Sequence, residues 1–157
     1  MGAALFYHLT RSAPEQLLLQ LIGKSRDAGW RVELRSPDRP RAETLDQRLW
    51  TAAEFLPHGL SGGPHDAMQP VLLTTAGTGA DDGAGAAAAN QPQCLITLDG
   101  AGIAPSEAAG LERICILFDG NDPAAVEHAR GQWRALTGAG VAAEYWSEAD
   151  GRWQKKP

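Results

Sequence analysis

Hydrophobic positions along this chain recur with two periods, and the switches between them lay out its elements. Ala3–Leu9 reads as a strand. Ser12-Ala-Pro-Glu15 then has capping-box spacing with Pro14 in the opening turn, and Leu17, Leu18, Leu21 and Ile22 form one apolar face of a helix running to about Ala28. Gly29 stands where a left-handed residue closes such a helix, and Trp30–Leu34 reads as a second strand, completing a β-α-β unit. Asp38 and Pro40 open the next helix, whose Ala42, Leu45 and Leu49 share a face up to Trp50. Val71–Thr75, Cys94–Leu98, Ile114–Phe118 and Val141–Trp146 are four further strand candidates. Between the last two, Asp122 can cap and Pro123 can start a helix in which Val126, Ala129, Trp133 and Leu136 recur at helical spacing until Gly138 and Gly140. Strands separated by helices predict an α/β fold: a single three-layer domain over residues 1–150 with a mostly parallel sheet.

Three segments depart from that pattern. Residues 76–93, with Gly-Thr-Gly-Ala-Asp-Asp-Gly-Ala-Gly, four alanines and Asn-Gln-Pro-Gln, have neither periodicity nor apolar bulk and read as a flexible Gly/Ala-rich surface loop. Residues 151–157 read as a basic tail that frays after Trp153. In Leu45–Leu60 a helical pattern ends in Trp50 and runs into Phe55-Leu56-Pro57-His58. Pro57 has no N–H to give a central strand, so these apolar groups belong at an edge or in a surface connection, where aromatics more often serve a partner than a reaction.

Composition narrows the function classes. The 157 residues are 43% hydrophobic and 21% charged, ordinary for one globular domain. A net charge of −5 argues against nonspecific binding to nucleic acid over the whole surface, so contact with DNA is expected only indirectly. Cys94 and Cys115 each lie inside an apolar run and read as buried thiols of a reducing cytosol. The N-terminus has no basic region ahead of its short apolar run, and no stretch approaches the roughly 20 apolar residues of a membrane span. A soluble, cytoplasmic protein without membrane attachment is expected.

Candidate chemistry is weak. Gly59-Leu-Ser-Gly-Gly63 matches G-x-S-x-G with His65 and Asp66 nearby, but Ser61 is followed by Gly-Gly-Pro rather than a helix start, against a nucleophile elbow. Gly23-Lys24-Ser25 resembles the end of a phosphate loop, yet its first glycine would fall at Leu18 inside a helix. Gly77-Thr-Gly79 lacks the third glycine of a dinucleotide fingerprint, since Asp82 stands there. Asp119 and Asp122 sit at a strand's C-terminal end, where a metal or active site is conceivable, but an Asp-Gly turn delivering Asp122 as a helix cap is the simpler reading. His8, His58, His65 and His128 lack zinc spacing. No cofactor and no metal are expected, and a small α/β hydrolase or nucleotide-using enzyme around Ser61 or Asp119 and Asp122 is the alternative reading. On the last helix, Arg130 lies three residues before Trp133 and four before Arg134, so two guanidiniums flank an indole, a pattern suited to an acidic peptide's C-terminus. The competing reading puts Trp133 in the core with both arginines solvated.

In order, the chain carries Phe6-Tyr7-His8-Leu9, Gly29-Trp30-Arg31-Val32, Leu45-Asp46 with Leu49-Trp50, and Phe55-Leu56-Pro57-His58-Gly59. Gln69-Pro70-Val71-Leu72-Leu73, Glu112-Arg113, Phe118-Asp119-Gly120-Asn121-Asp122, Ala129-Arg130, Trp133-Arg134, Gly140 and Tyr145-Trp146 follow. This ordered set resembles the chi subunit of bacterial DNA polymerase III, an accessory component of the clamp-loader assembly, over nearly the whole chain. The resemblance implies a non-catalytic α/β protein whose fold looks like a nucleotide-binding domain without the phosphate loop. It implies binding to the psi subunit, or a functional substitute, through Trp50, Phe55, Leu56, Pro57 and His58. It also implies capture of the acidic C-terminal tail of single-stranded DNA-binding protein by Arg130, Trp133 and Arg134. Two positions depart from the enteric form of the family: Val126 stands one turn before Arg130 where that form has a lysine, and Trp133 replaces a tyrosine.

Overall fold

The computed structural model describes residues 2–52, 56–77 and 88–156. Its strands are β1 (Ala3–Leu9), β2 (Val32–Ser36), β3 (Gly59–Leu60), β4 (Val71–Thr75), β5 (Cys94–Leu98), β6 (Arg113–Asp119), β7 (Ala143–Ser147) and β8 (Gln154–Lys156). The α-helices are α1 (Pro14–Asp27), α2 (Arg39–Ala52) and α3 (Pro123–Gly138). All eight strands join one sheet in the order β3-β4-β2-β5-β6-β1-β7-β8, parallel throughout except for the last pair. The central strands read as continuous buried runs because parallel sheets are covered on both faces. Thus β5, Cys-Leu-Ile-Thr-Leu, is buried at every position.

Two apolar layers sandwich the sheet. On one face Leu17, Leu18, Leu21 and Ile22 of α1 and Leu45 and Leu49 of α2 pack on Tyr7, Leu9, Val32, Leu34, Ile96, Cys115 and Leu117. On the other, Ala129 and Leu136 of α3 pack with Phe6, Leu95, Ile114, Ile116 and Phe118. Helix α1 follows β1, helix α3 follows β6, and those two strands are neighbours, so the helices leave adjacent strand ends toward opposite faces. In nucleotide-binding α/β folds a ligand occupies the crevice at such a switch point.

Beside it, at the turn from β1 into α1, the chain places a carboxylate of its own. Glu148, 3% exposed, accepts hydrogen bonds at one oxygen from the N–H of Arg11, at 2.5 Å, and from the N–H of Ser12, just ahead of α1. Burial raises the carboxyl's pKa, and the N–H groups of Ser12 and Arg11 more than offset this, so it lies below its ordinary value. The opposite side of the crevice is closed tightly: the N–H of Gly120 donates to Leu9 O at 2.7 Å, and any Cβ at position 120 would lie 1.8 Å from His8 Cδ2.

Several boundaries move from their predicted positions. Ser12 does not cap α1; the N-cap is Ala13 with no side-chain bond, and both the N–H and the hydroxyl of Ser12 are turned to Glu148 instead. Strand β2 starts at Val32 because Trp30 N–H closes α1 on Ser25 O, around Gly29 at φ +79°. Val141 is likewise used to close α3, through its N–H to Leu136 O, so β7 begins at Ala143. The tail does not fray after Trp153: Gln154–Lys156 pairs with β7, and the Trp153 ring packs edge-on against Tyr7 at 5.4 Å. Residues 78–87 of the expected loop lie outside the described residues, but its end is ordered. Asn90 is fully buried, and its amide donates to Val32 O and Gln69 O at 3.0 and 3.1 Å.

The second face of β2 carries a buried polar cluster that the hydrophobic pattern did not reveal. All five N–H donors of Arg35 are used: to Glu33 at 3.0 and 3.3 Å, to Glu107 at 2.7 and 3.1 Å, and to Gly102 O at 2.9 Å. Thr74 adds a hydroxyl donor to Glu33 at 2.6 Å. Such saturation is what lets a guanidinium sit at 3% exposure. Arg35→Met is expected to lower stability by about 3–5 kcal/mol in urea unfolding, since it strands the buried Glu33 carboxylate beside Glu107. Glu148→Gln is expected to cost about 1.5–3 kcal/mol at pH 7. The depressed carboxyl stabilises the fold fully above its unfolded pKa of about 4.3 and loses that contribution as pH falls through the lower folded value. The gap between wild type and Glu148→Gln should therefore close in unfolding curves below that value; an unchanged gap would exclude the charge argument.

Candidate functional site

Two regions with accessible aromatic surface lie at opposite ends of the sheet. The first is built on α3. Asp122 caps it by accepting from Ala124 N–H at 3.0 Å, with Pro123 next, as the sequence predicts. Val126, Ala129, Trp133 and Leu136 then face the sheet. Beyond the part of the sheet that α3 covers, a groove of about 460 Å³ opens, lined by Phe6, Phe118, Val126, Ala129, Arg130, Trp133, Tyr145 and Lys156.

Trp133 combines its two sequence readings. Its indole is half-buried and meets Phe6 edge-on at 5.2 Å, yet its remaining surface lines the groove, 6.2 Å from the Tyr145 ring. Arg130 is also on the groove, whereas Arg134 is not among the lining residues. Both guanidiniums reach the same carboxylate, Glu127, at 3.7 and 3.5 Å, and all three side chains are well exposed. The helix thus offers two cations and one internal competitor, a residue the motif reading did not weigh. Tyr145 adds a hydroxyl hydrogen-bonded to His8 Nδ1. Burial pushes the phenol's pKa up, and the nearby Arg130 partly offsets this.

The place of Tyr145 and Lys156 on the groove was not legible in the sequence, for two reasons. A strand pattern says which residues share a face but not which face α3 covers, and Lys156 belonged to a segment with no strand signal.

The second region surrounds the end of α2 and the edge strand β3. Trp50 is 56% exposed, and its ring lies 4.2 Å from that of His58. His58 itself is buried: Nδ1 is 2.6 Å from Leu56 O, and Nε2 is 3.2 Å from Asp46 O and 3.1 Å from Asp46 Oδ1. It pins the connection after α2 back onto the helix and props the indole outward. Leu56 is half-buried against the first core layer, Pro57 is exposed, and Phe55 lies outside the described residues. Met68, 74% exposed, is a further apolar side chain on the segment between β3 and β4 that the sequence reading passed over.

The candidate catalytic groups do not assemble. Ser61 follows a strand, but a two-residue one at the sheet edge, and a turn comes next rather than an α-helix. Asp66 is occupied with the N–H groups of Gly62 and Gly63 at 2.8 and 3.0 Å, and among the described residues neither it nor His65 hydrogen-bonds the Ser61 hydroxyl. Ser25 donates to Leu21 O within α1, far from any phosphate-loop geometry. Asp119 accepts from Asn121 N–H at 2.8 Å, closing its turn. Among the described residues, no group of three or more His, Cys, Asp or Glu side chains is placed to hold a metal, and no helix is long and apolar enough to cross a membrane.

Comparison with known families decides the identity. The family described as DNA polymerase III chi subunit, HolC, matches residues 1–144. The chain belongs to this family. Its place is therefore among the replication accessory subunits of DNA polymerase III, and the chi-family match spans the sheet from β1 into β7, including all three helices. Strand β8 lies beyond the matched residues. None of the curated proteins compared with the chain matches it.

The two exposed-aromatic regions should differ in what they contribute to the fold. Trp133→Ala is expected to cost roughly 2–3 kcal/mol in chemical denaturation, below the 3–5 of a fully buried ring. Trp50→Ala should cost less than about 1 kcal/mol, as a largely solvent-facing ring does.

Proposed function

We propose that this chi-family protein is a non-catalytic cytoplasmic adaptor that links the polymerase III clamp loader to single-stranded DNA-binding protein by holding that protein's acidic C-terminal tail. The observation that carries the reading is the groove beside α3. The half-buried rings of Trp133 and Tyr145, backed by buried Phe6 and Phe118, can take an apolar side chain, while Arg130 at the rim can take a carboxylate through a charge-assisted hydrogen bond. With a net charge of −5 the protein as a whole repels an acidic peptide, so recognition has to be local and its cations specific. Contact with DNA is then indirect, through the coated strand.

The surface formed by Trp50, Leu56 and Pro57, supported from beneath by His58, is the proposed seat of psi or of a protein in its place, with Phe55 of the same sequence motif as a further candidate contact. An exposed indole propped by a buried histidine presents a rigid apolar anchor of the kind that dominates interface energies.

Titration of the protein with a fluorescent peptide copying the acidic tail tests the first half. Arg130→Ala is expected to weaken binding about tenfold, equivalent to roughly 1.4 kcal/mol, and affinity should fall as salt rises. No binding to the wild type, or binding indifferent to Arg130→Ala, would refute tail capture. In a parallel pull-down, Trp50→Ala is expected to lose the psi-type partner while retaining the tail peptide.

A further inference from the structure

The groove has a second wall that does not come from α3. In the antiparallel pairing of β7 with β8, Tyr145 is opposite Lys156 and Trp146 is opposite Lys155. Directly opposed residues project to the same face of a sheet, and successive residues to opposite faces. Lys156 therefore shares the α3 face with Tyr145, where it lines the groove half-buried. Lys155 points to the other face, exposed, with its ammonium 3.9 Å from Glu144. Two adjacent lysines thus have different surroundings, and only one of them meets Arg130 across an aromatic floor.

From this geometry we infer that Lys156 is a specificity-determining residue of the peptide site. With Arg130 it forms a two-cation clamp for a ligand that carries a free terminal carboxylate beside an acidic side chain. The inference rests on the tail-capture reading and extends it to a strand outside the family match. Charge accounting supports it. Glu127 lies between Arg130 and Arg134 on α3 and cancels one of their two charges, but it does not line the groove. Lys156 supplies a cation that Glu127 does not reach, where Val126 contributes none. Among the described residues no carboxylate lies within 4 Å of the Lys156 ammonium, and the only other titratable groups facing this end of the groove are Tyr145 and, behind it, His8. The strand bearing Lys156 is held in place by its pairing with β7 and by Trp153 on Tyr7, so the ammonium is presented by fixed backbone. Two cations on opposite walls suit two adjacent anions better than one, which favours a peptide's acidic end over an internal acidic segment.

The test compares full-length wild type, Lys156→Met, Lys155→Met and Lys156→Arg, each titrated with the acidic tail peptide as its free acid and as its C-terminal amide. Methionine keeps the apolar stem and removes the charge, and both Met variants change net charge equally. Lys156→Met is expected to weaken binding of the free acid by five- to tenfold and to shrink the preference for acid over amide. Lys155→Met should change either affinity by less than twofold, and Lys156→Arg should stay within threefold of wild type. Equal effects of the two Met variants, or an acid-to-amide preference untouched by Lys156→Met, would overturn the inference while leaving tail capture standing. Failure of the wild type to bind either peptide would overturn tail capture, and the inference with it.

Discussion

The whole arrangement depends on β1 being paired on both edges and covered on both faces. Its seven residues run in parallel register with β6, from Ala3 opposite Arg113 to Leu9 opposite Asp119, while Ala4–His8 pair with β7 on the other side. A strand so placed has no solvent-facing side chain row, and Phe-Tyr-His-Leu fits that demand only because each side chain finds its own layer. Phe6 goes under α3, Tyr7 and Leu9 go under α1 and α2, and His8 is hydrogen-bonded to Tyr145. Inserting β1 between β6 and β7 also separates α1 from α3, and so creates the switch-point crevice.

In folds of this type the crevice takes an anion on backbone N–H groups. Here the chain supplies the anion. Glu148 takes the N–H groups of Arg11 and Ser12, which holds the end of β7 against the start of α1, and Gly120 is pressed onto His8. The failed glycine motifs in the sequence agree with a turn after β1 whose Arg11 and Ser12 N–H groups already have a carboxylate partner. Accessible aromatic surface is left at the sheet's two ends, where coverage by helices runs out.

At one end, α3 covers only part of the face, and the uncovered aromatic rings become a groove with Arg130 and Lys156 on its rims. At the other, β3 is only two residues long, and Trp50 stands exposed over a buried His58. Charge is arranged with the same economy. Glu127 restrains Arg130 and Arg134 on α3, Glu144 meets Lys155 on the far face of β8, and the buried Arg35 is saturated by Glu33 and Glu107.

Local pattern was enough for the strands of the central sheet, all three helices, the Asp122 cap and the aromatic character of both end regions, because these depend on periodicity and near-neighbour sterics. The chi resemblance, too, was carried by residues in order along the chain. What local pattern misplaced has long-range causes. Ser12 lost its capping role to a carboxylate 136 residues away. The tail seemed bound to fray because its three-residue strand has no apolar signal, yet pairing with β7 and the Trp153 contact on Tyr7 hold it. Nothing in the local pattern marked Arg35 and Glu33 as buried, because the partner that closes the cluster, Glu107, comes from the connection between β5 and β6. The sequence by itself determined the elements and the family, and it marked the aromatic and basic residues on which the binding proposal rests. Only tertiary structure decided which face each strand turns to α3, and therefore that Tyr145 and Lys156 share a groove with Arg130, since a period of two defines a pair of faces but cannot say which one a distant helix will cover.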